Sequence, residues 1–208
     1  HLYNANIILN LLKGNDFIND FYSINSISIP NWTSHIILLI FMSFLPSWLA
    51  EKIFLIIYVL STSLTFRYLI KSLNYYNINL SILIFPFLYS FLFHLGFYNY
   101  SLSYALLFLT LGYWLNNFDS NKIYKYVILL ILITLTYFTN ILVYCFLGLI
   151  MFLYIIYFSY DKLQKEKNLR NAINYFWKKF FILLFICLPS LTFLNIFYFK
   201  TKFNSSVL

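Results

Sequence analysis

The chain has 208 residues, of which 62% are hydrophobic and 10% are charged, and it carries a formal net charge of +8. Soluble globular domains carry about 25% charged residues, so this chain has too few charges to solvate a globular surface, which excludes a soluble domain. It holds only four glycines and no HExxH, CxxC or nucleophile-elbow motif, which argues against ATP hydrolysis, zinc proteolysis and serine hydrolase chemistry.

Residues 1–51 form the first predicted part, a polar region with two short helices. Apolar side chains at helical spacing predict an amphipathic helix that lies in the membrane surface and stops at Gly14. These side chains are Leu2, Ala5, Ile8, Leu9 and Leu12. Residues 15–34 are polar and predict a loop. The apolar run 35–46, which ends at Pro46, is too short to cross a bilayer and predicts an interfacial or re-entrant helix.

Residues 52–199 form the second predicted part, an all-α polytopic bundle of transmembrane helices. Its apolar runs are continuous rather than alternating, which favours helices over a β-barrel. Charged residues and turns at Gly96–Tyr100 and at Thr139–Asn140 divide these runs into about six spans. The predicted spans are 52–72, 79–96, 101–117, 124–139, 141–159 and 180–199. The two interfacial helices precede them, and residues 200–208 are predicted to be a tail.

The distribution of Lys and Arg predicts the orientation of this bundle. Ten of these residues fall in the loops 67–78, 116–125 and 160–179, and four fall on the other side. If segment 35–46 does not cross, the positive-inside rule places those loops in the cytoplasm, and it places residues 1–51 and the tail outside. If that segment did cross, the N-terminal stretch would move to the cytoplasm and the later loops would keep their sides. Loop 160–179 is predicted to be solvated near anionic headgroups, and the spread of basic residues argues against nucleic-acid binding. Because the chain starts with His1 and not Met, we expect a fragment truncated at both ends.

Four outer segments carry a resemblance to a known family. They begin at His1-Leu2-Tyr3-Asn4, run from Pro30 to His35, and lie at 96–100 and 137–140. Their layout resembles the outer loops of GT-C-type glycosyltransferases, in which interfacial helices and a nearby histidine follow an acidic motif. Here that motif would lie upstream of His1, and Asn140 stands where several bacterial relatives have a histidine.

The resemblance implies a membrane enzyme that moves a sugar from a polyprenyl-phosphate carrier to an unidentified acceptor outside the cytoplasm. A carboxylate would act as general base or help to hold a divalent metal ion, and polar groups would stabilise the departing phosphate. On this interpretation the catalytic candidates are Asp16, Asp20 and His1. The substrate-binding candidates are Asn4, His35, His94 and Asn99, and no residue is assigned as a metal ligand.

Most of these residues also have an ordinary structural interpretation. Asp16 and Asp20 are equally typical of solvated loop acids, the histidines of interfacial or helix-end positions, and Asn99 of a tight turn. Glu51 and Lys52 are predicted to form a pair at the interface between two segments.

Two other functions stay open. A transporter or flippase of lipid-linked glycans would use internal repeats and helices broken by Pro or Gly, but Pro86 and Pro189 are the only such breaks inside clear spans and the sequence shows no repeat. A non-catalytic membrane subunit would need no polar outer region. In each case we expect an integral, multi-pass protein with membrane lipid as a partner, in a bacterial inner membrane.

Overall fold

The structure is a computed structural model that describes residues 1–23, 30–120 and 122–205, with side chains described up to residue 199. Every regular element in those ranges is a helix, which confirms the all-α prediction. The polar N-terminal region comes first and a bundle of longer helices follows.

The described part of the N-terminal region contains three short helices. The predicted amphipathic helix is present as α1, Leu2–Leu12, and Gly14 follows it with a positive φ of 71°. The predicted loop is partly wrong, because Asp16–Phe21 form helix α2, whose Asn15 side chain accepts a hydrogen bond from the Ile18 N–H. The rest of that loop includes residues 24–29, which lie outside the described residues. Helix α3, Thr33–Met42, starts earlier and ends earlier than predicted.

Pro46 starts the next helix instead of ending α3. Helix α4, Ser47–Leu73, covers the predicted span 52–72. The predicted span 79–96 is wrong as one continuous helix. The chain there forms a 3₁₀ helix, Tyr75–Ile84, and two short helices, α5 at Phe85–Leu88 and α6 at Phe91–His94. We call residues 75–94 the broken segment.

Three residues explain the interruption of the broken segment. Pro86 lies at the start of α5, where its missing N–H and fixed φ favour a new helix start over continuation. Tyr89 leaves the helical conformation, and the Ser90 side chain then caps α6 by accepting a hydrogen bond from the Phe93 N–H. Such caps favour a second helix start.

The remaining helices form most of the core. Helices α7, Tyr98–Asn116, and α8, Ile123–Thr139, match their predicted spans within a few residues. Helix α9, Ile141–Glu166, and helix α10, Leu169–Ser205, are longer than predicted. The predicted loop 160–179 is therefore wrong, because only Lys167 and Asn168 separate the two helices. Lys167 adopts the left-handed conformation with φ of 51° and ends α9.

Contacts between helix ends show how the chain runs. Tyr98 bonds Glu51 where α7 and α4 begin, and Asn116 bonds Tyr68 and Ser72 where both helices near their ends, so α4 and α7 are parallel. The broken segment returns the chain between them. Helices α8, α9 and α10 then alternate in direction. We call the end of the bundle that holds the starts of α3, α4, α7 and α9 the His35 end, and the opposite end the Asp119 end.

Three helices in the described part of the chain are long and apolar enough to cross a membrane. They are Ser47–Leu73, Ile141–Glu166 and the part Leu169–Phe199 of α10. This supports the predicted membrane location. Helix α7 differs from these three helices in its burial. About half of its residues are buried, including the polar residues Ser103 and Thr110. It occupies the middle of the bundle.

A charged contact joins α10 to the loop between α7 and α8 at the Asp119 end. Lys179 forms a salt bridge of 3.0 Å with Asp119 and also donates to the Phe118 carbonyl, and Tyr175 donates a hydrogen bond to Asp119. Burial alone would raise the pKa of Asp119, but the hydrogen bond and charge of Lys179 outweigh it and hold this pKa below its ordinary value. The basic segments that were predicted as cytoplasmic loops thus lie at one end of the bundle.

Two glycines provide a test of the α4–α7 packing. A Cβ on Gly112 would lie 2.7 Å from the Tyr68 ring and 3.3 Å from the Leu69 Cα, whereas a Cβ on Gly148 in α9 would meet nothing within 4 Å. We expect Gly112→Ala to destabilise the protein by about 1–3 kcal/mol. We expect Gly148→Ala to stabilise it by about 0.5–1 kcal/mol, because Ala favours helices over Gly. Thermal unfolding of both variants in one detergent measures the difference, and equal shifts would contradict this packing.

Candidate functional site

The site at the His35 end begins with the turn that leads into α3. Asn31 has a positive φ of 72°, a conformation that asparagine tolerates better than most residues. The N–H groups of Asn31 and Trp32 both donate to the Phe138 carbonyl, at 2.8 and 3.1 Å. That carbonyl belongs to the last turn of α8, where it has no helical partner. The turn therefore provides hydrogen-bond donors for the end of α8 and attaches α3 to the same end of the bundle.

Asn99 joins this turn to α7. Its side chain is 4% exposed, accepts a hydrogen bond of 2.7 Å from the Ser34 N–H and donates to the Asn31 carbonyl. The predicted position of Asn99 in a tight turn is wrong, because Asn99 lies in the first turn of α7. The turn itself falls at Gly96, whose φ is 82°. Asn99 thus joins α7 to the turn before α3 through buried hydrogen bonds.

The start of α9 completes the frame. The Asn140 side chain accepts from the N–H groups of Leu142 and Val143, as an N-cap, and donates to the Asn31 side chain at 3.2 Å. The Thr33 and Thr139 hydroxyls are hydrogen-bonded at 2.8 Å. The predicted turn at Thr139–Asn140 is therefore confirmed, and it carries polar groups into the site.

Two histidines contact each other on this frame. His1 Nδ1 and His35 Nε2 lie 2.9 Å apart, and His35 Nδ1 lies 3.2 Å from the Asn31 carbonyl oxygen. Because a carbonyl only accepts, His35 Nδ1 donates to it, and His1 Nδ1 then donates to the unprotonated His35 Nε2. Burial lowers the pKa of His35, which favours this neutral form. One ring nitrogen of His35 is therefore oriented by a backbone hydrogen bond, and the other accepts a hydrogen bond from His1.

A carboxylate that the sequence interpretation placed elsewhere belongs to this cluster. Glu51 accepts a hydrogen bond of 2.8 Å from the Tyr98 hydroxyl, and the Tyr98 ring stacks on His1 at 5.2 Å. The predicted Glu51–Lys52 pair is not formed, because the Lys52 ammonium lies over the Trp48 ring instead. The sequence signal was present, since Glu51 is one of few acids on the predicted outer side, but its partner is 47 residues away.

Three cavities adjoin these residues. The histidine cleft, about 520 Å³, is lined by His1, Asn31, His35, Asn99 and Asn140 and by apolar residues of α6, α7 and α9. The interior cavity, about 300 Å³, lies between α4, the broken segment and α7, and it shares Leu92 and Tyr100 with the histidine cleft. The tyrosine cleft, about 310 Å³, lies between α1, the end of α2 and the start of α3.

The structure brings together some of the predicted site residues and not others. His1, His35 and Asn99 line the histidine cleft, and Asn4 lines the tyrosine cleft together with His35. The other three lie apart, at exposed positions. His94 contacts the rings of Tyr89 and Phe93, and Asp16 and Asp20 on α2 form no hydrogen bond or ion pair within the described residues.

No group of three or more His, Cys, Asp or Glu side chains in the described ranges could hold a metal ion. The structure thus defines a class, an all-α membrane protein with a polar, histidine-bearing cleft at one end of its bundle. No family model, curated protein or solved structure matches the chain.

Proposed function

We propose that this chain is a membrane glycosyltransferase that transfers a sugar from a polyprenyl-phosphate carrier to an acceptor at the His35 end. In this proposal α4, the broken segment, α7, α8, α9 and α10 each cross the membrane. The His35 end faces away from the cytoplasm. The anomeric carbon of the sugar forms a bond to the acceptor hydroxyl oxygen, and its bond to the phosphate oxygen breaks. The electron pair leaves with the phosphate, and the hydroxyl proton passes to a basic side chain.

One observation carries this proposal: a polar cleft and a largely apolar cavity share two wall residues. A polyprenyl phosphate sugar has a polar head and a long apolar chain. The histidine cleft offers imidazole and amide groups to the head, and the adjoining interior cavity offers Ile84, Leu88 and Phe108 to the chain. A free sugar would have no use for the second cavity.

The residues of the histidine cleft suit the proposed roles to different degrees. In the neutral form described above, His35 Nε2 is unprotonated and can accept a proton, whereas the Asn140 amide can donate a hydrogen bond to a departing phosphate. Glu51 is the carboxylate tied to this cluster through Tyr98. Asp16 and Asp20 stay candidates for the base, although they lie apart from the cleft in this arrangement.

A turnover assay tests the proposal. The full-length protein in nanodiscs would receive a polyprenyl-phosphate hexose labelled in the sugar, and release of the labelled sugar to an acceptor or to water would be measured. The proposal expects release that requires the intact phosphate link and is abolished in the double variant His1→Ala/His35→Ala. No release with any of several hexose donors, while the protein stays folded, would contradict it.

A second function is favoured by the broken segment. Discontinuous helices that line a cavity are typical of transporters. Here the Tyr58 hydroxyl donates at 2.7 Å to the Leu88 carbonyl, which the interruption of the segment leaves without a helical partner. Thr62 on the same cavity wall has a buried hydroxyl that finds no partner among the described residues. A flippase for lipid-linked glycans would move a fluorescent polyprenyl-phosphate sugar between the leaflets of proteoliposomes without cleaving it, and that assay separates the two functions.

The proposed orientation gives its own prediction. In a cysteine-free background with Cys145 and Cys187 replaced by Ala, we expect Lys13→Cys to react with a membrane-impermeant maleimide in intact cells. We expect Gln164→Cys to react only after permeabilisation, because the basic Asp119 end faces the cytoplasm. Both side chains are exposed. The reverse pattern of labelling would overturn the orientation.

A further inference from the structure

The tyrosine cleft shares a wall with the histidine cleft. Both clefts are lined by His35, whose ring lies between them. The volume of the tyrosine cleft, about 310 Å³, falls within the range of about 300–1,000 Å³ typical of small-molecule sites. A molecule bound there would therefore lie next to a molecule bound in the histidine cleft.

The walls of the tyrosine cleft combine aromatic faces and the aliphatic side chains Ile7, Ile8 and Leu11 of α1 with neutral polar groups. Tyr3, Tyr22 and Trp32 provide the rings, and the Tyr3 and Tyr22 hydroxyls are hydrogen-bonded at 3.1 Å across the gap between α1 and the end of α2. Asn4 and Ser23 add an amide and a hydroxyl. Aromatic faces suit the C–H faces of a sugar ring, and amide and hydroxyl groups can donate to and accept from its hydroxyls.

The charge of the cleft walls also restricts the chemical class of ligand that fits there. Among the described residues that line this cleft, none is Lys, Arg, Asp or Glu. A phosphate or a lipid headgroup would lack a counter-charge there, whereas a neutral, hydroxyl-rich ligand would need none. A hydrocarbon chain would cover the Asn4 amide, which has no partner among the described residues, without offering it a hydrogen bond, and this costs free energy.

We propose that the tyrosine cleft binds a carbohydrate, and that this carbohydrate is the acceptor of the transfer reaction. The acceptor role rests on the proposed function, but carbohydrate binding by the cleft does not. The donor sugar in the histidine cleft and an acceptor hydroxyl in the tyrosine cleft would meet at His35.

Saturation-transfer NMR on the purified full chain tests carbohydrate binding without any lipid donor. The probes are methyl α-glucoside, methyl α-mannoside, methyl α-galactoside and N-acetylglucosamine, each with the protein in detergent and in nanodiscs. We expect at least one sugar to receive saturation in both media. We expect its binding to weaken about tenfold or more in Asn4→Ala and in Trp32→Ala, which corresponds to about 1.4 kcal/mol.

Matched variants make the result specific. Trp48 lies at the same end of the molecule, exposed beneath Lys52 and outside all three cavities, so Trp48→Ala should bind the sugar as the wild type does. Asn4 is exposed and has no partner in the described part of the chain, so Asn4→Ala should fold normally even if Trp32→Ala does not. No saturation for any probe, equal binding by Asn4→Ala, or binding in detergent that disappears in nanodiscs would each overturn the proposal.

The NMR result and the result of the turnover assay test different parts of the account. Sugar binding that depends on Asn4, without turnover of any lipid donor, would retain the carbohydrate cleft and reject the transferase. Turnover without sugar binding at this cleft would retain the transferase and place the acceptor elsewhere.

Discussion

Replacing His35 by alanine is expected to lower sugar release from the lipid donor about 100-fold. Loss of one group that stabilises a developing charge, or that moves a proton, typically costs 10²-fold or more. His35 qualifies for this effect because it lines both the histidine and tyrosine clefts and one of its nitrogens is oriented by the Asn31 carbonyl. The measurement is the initial rate of labelled sugar release in nanodiscs.

His94 provides the comparison for this prediction. The sequence assigned both histidines to substrate binding, but the structure places His94 at an exposed position among aromatic rings and outside the cleft walls. We therefore expect His94→Ala to change the rate by less than about threefold, well under 1 kcal/mol. A loss in His94→Ala that equals or exceeds the loss in His35→Ala would show that the site lies elsewhere.

Removing the Asn99 side chain is expected to destabilise the His35 end of the bundle. Asn99→Ala leaves the Ser34 N–H without its partner and removes one of the two donors to the Asn31 carbonyl, which keeps the hydrogen bond from His35. Because a buried unsatisfied group costs about 1–3 kcal/mol, we expect a loss of about 1–3 kcal/mol in the free energy of unfolding. Chemical unfolding in detergent measures this loss, and protease cleavage before α3 should increase with it.

Two further variants show whether the loss comes from these hydrogen bonds. Asn99→Asp keeps the acceptor for Ser34 but cannot donate to the Asn31 carbonyl, so we expect it to be nearly as destabilising as Asn99→Ala. Asn174 on α10 is exposed and has no partner within the described residues, so Asn174→Ala should be neutral within about 0.5 kcal/mol. If Asn99→Ala were as stable as Asn174→Ala, Asn99 would not hold α3 to the bundle.

Local patterns in the sequence predicted the helices but not where every one breaks. The long uncharged run from 126 to 160 required a turn for reasons of length, and Asn140 provides it as the N-cap of α9. The broken segment was missed because its apolar run continues through Pro86 and Ser90, and caps of this kind depend on backbone geometry. Helix α2 had a signal in Asn15 followed by Asp16, a typical N-cap and first turn.

The candidate site was harder to predict than the helices because its contacts join distant parts of the chain. Asn99 bonds a residue 68 positions away, and Glu51 bonds one 47 positions away. No local periodicity encodes such pairs. The resemblance suggested His1, His35 and Asn99, which the structure does bring to one cleft, but their roles in binding substrate stay predictions until they are tested.

Retention of a polyprenyl phosphate by the purified protein tests whether a lipid carrier occupies the histidine cleft and the interior cavity. Native mass spectrometry would compare polyprenyl phosphate with the uncharged polyprenol. It would also compare the wild type with Leu92→Trp, which enlarges a side chain on the wall that the two cavities share, and with Leu64→Trp on an exposed face of α4. We predict one bound polyprenyl phosphate that the wild type and Leu64→Trp retain, and that Leu92→Trp loses. Equal retention by Leu92→Trp, or equal retention of the polyprenol, would contradict a site for a lipid-linked phosphate.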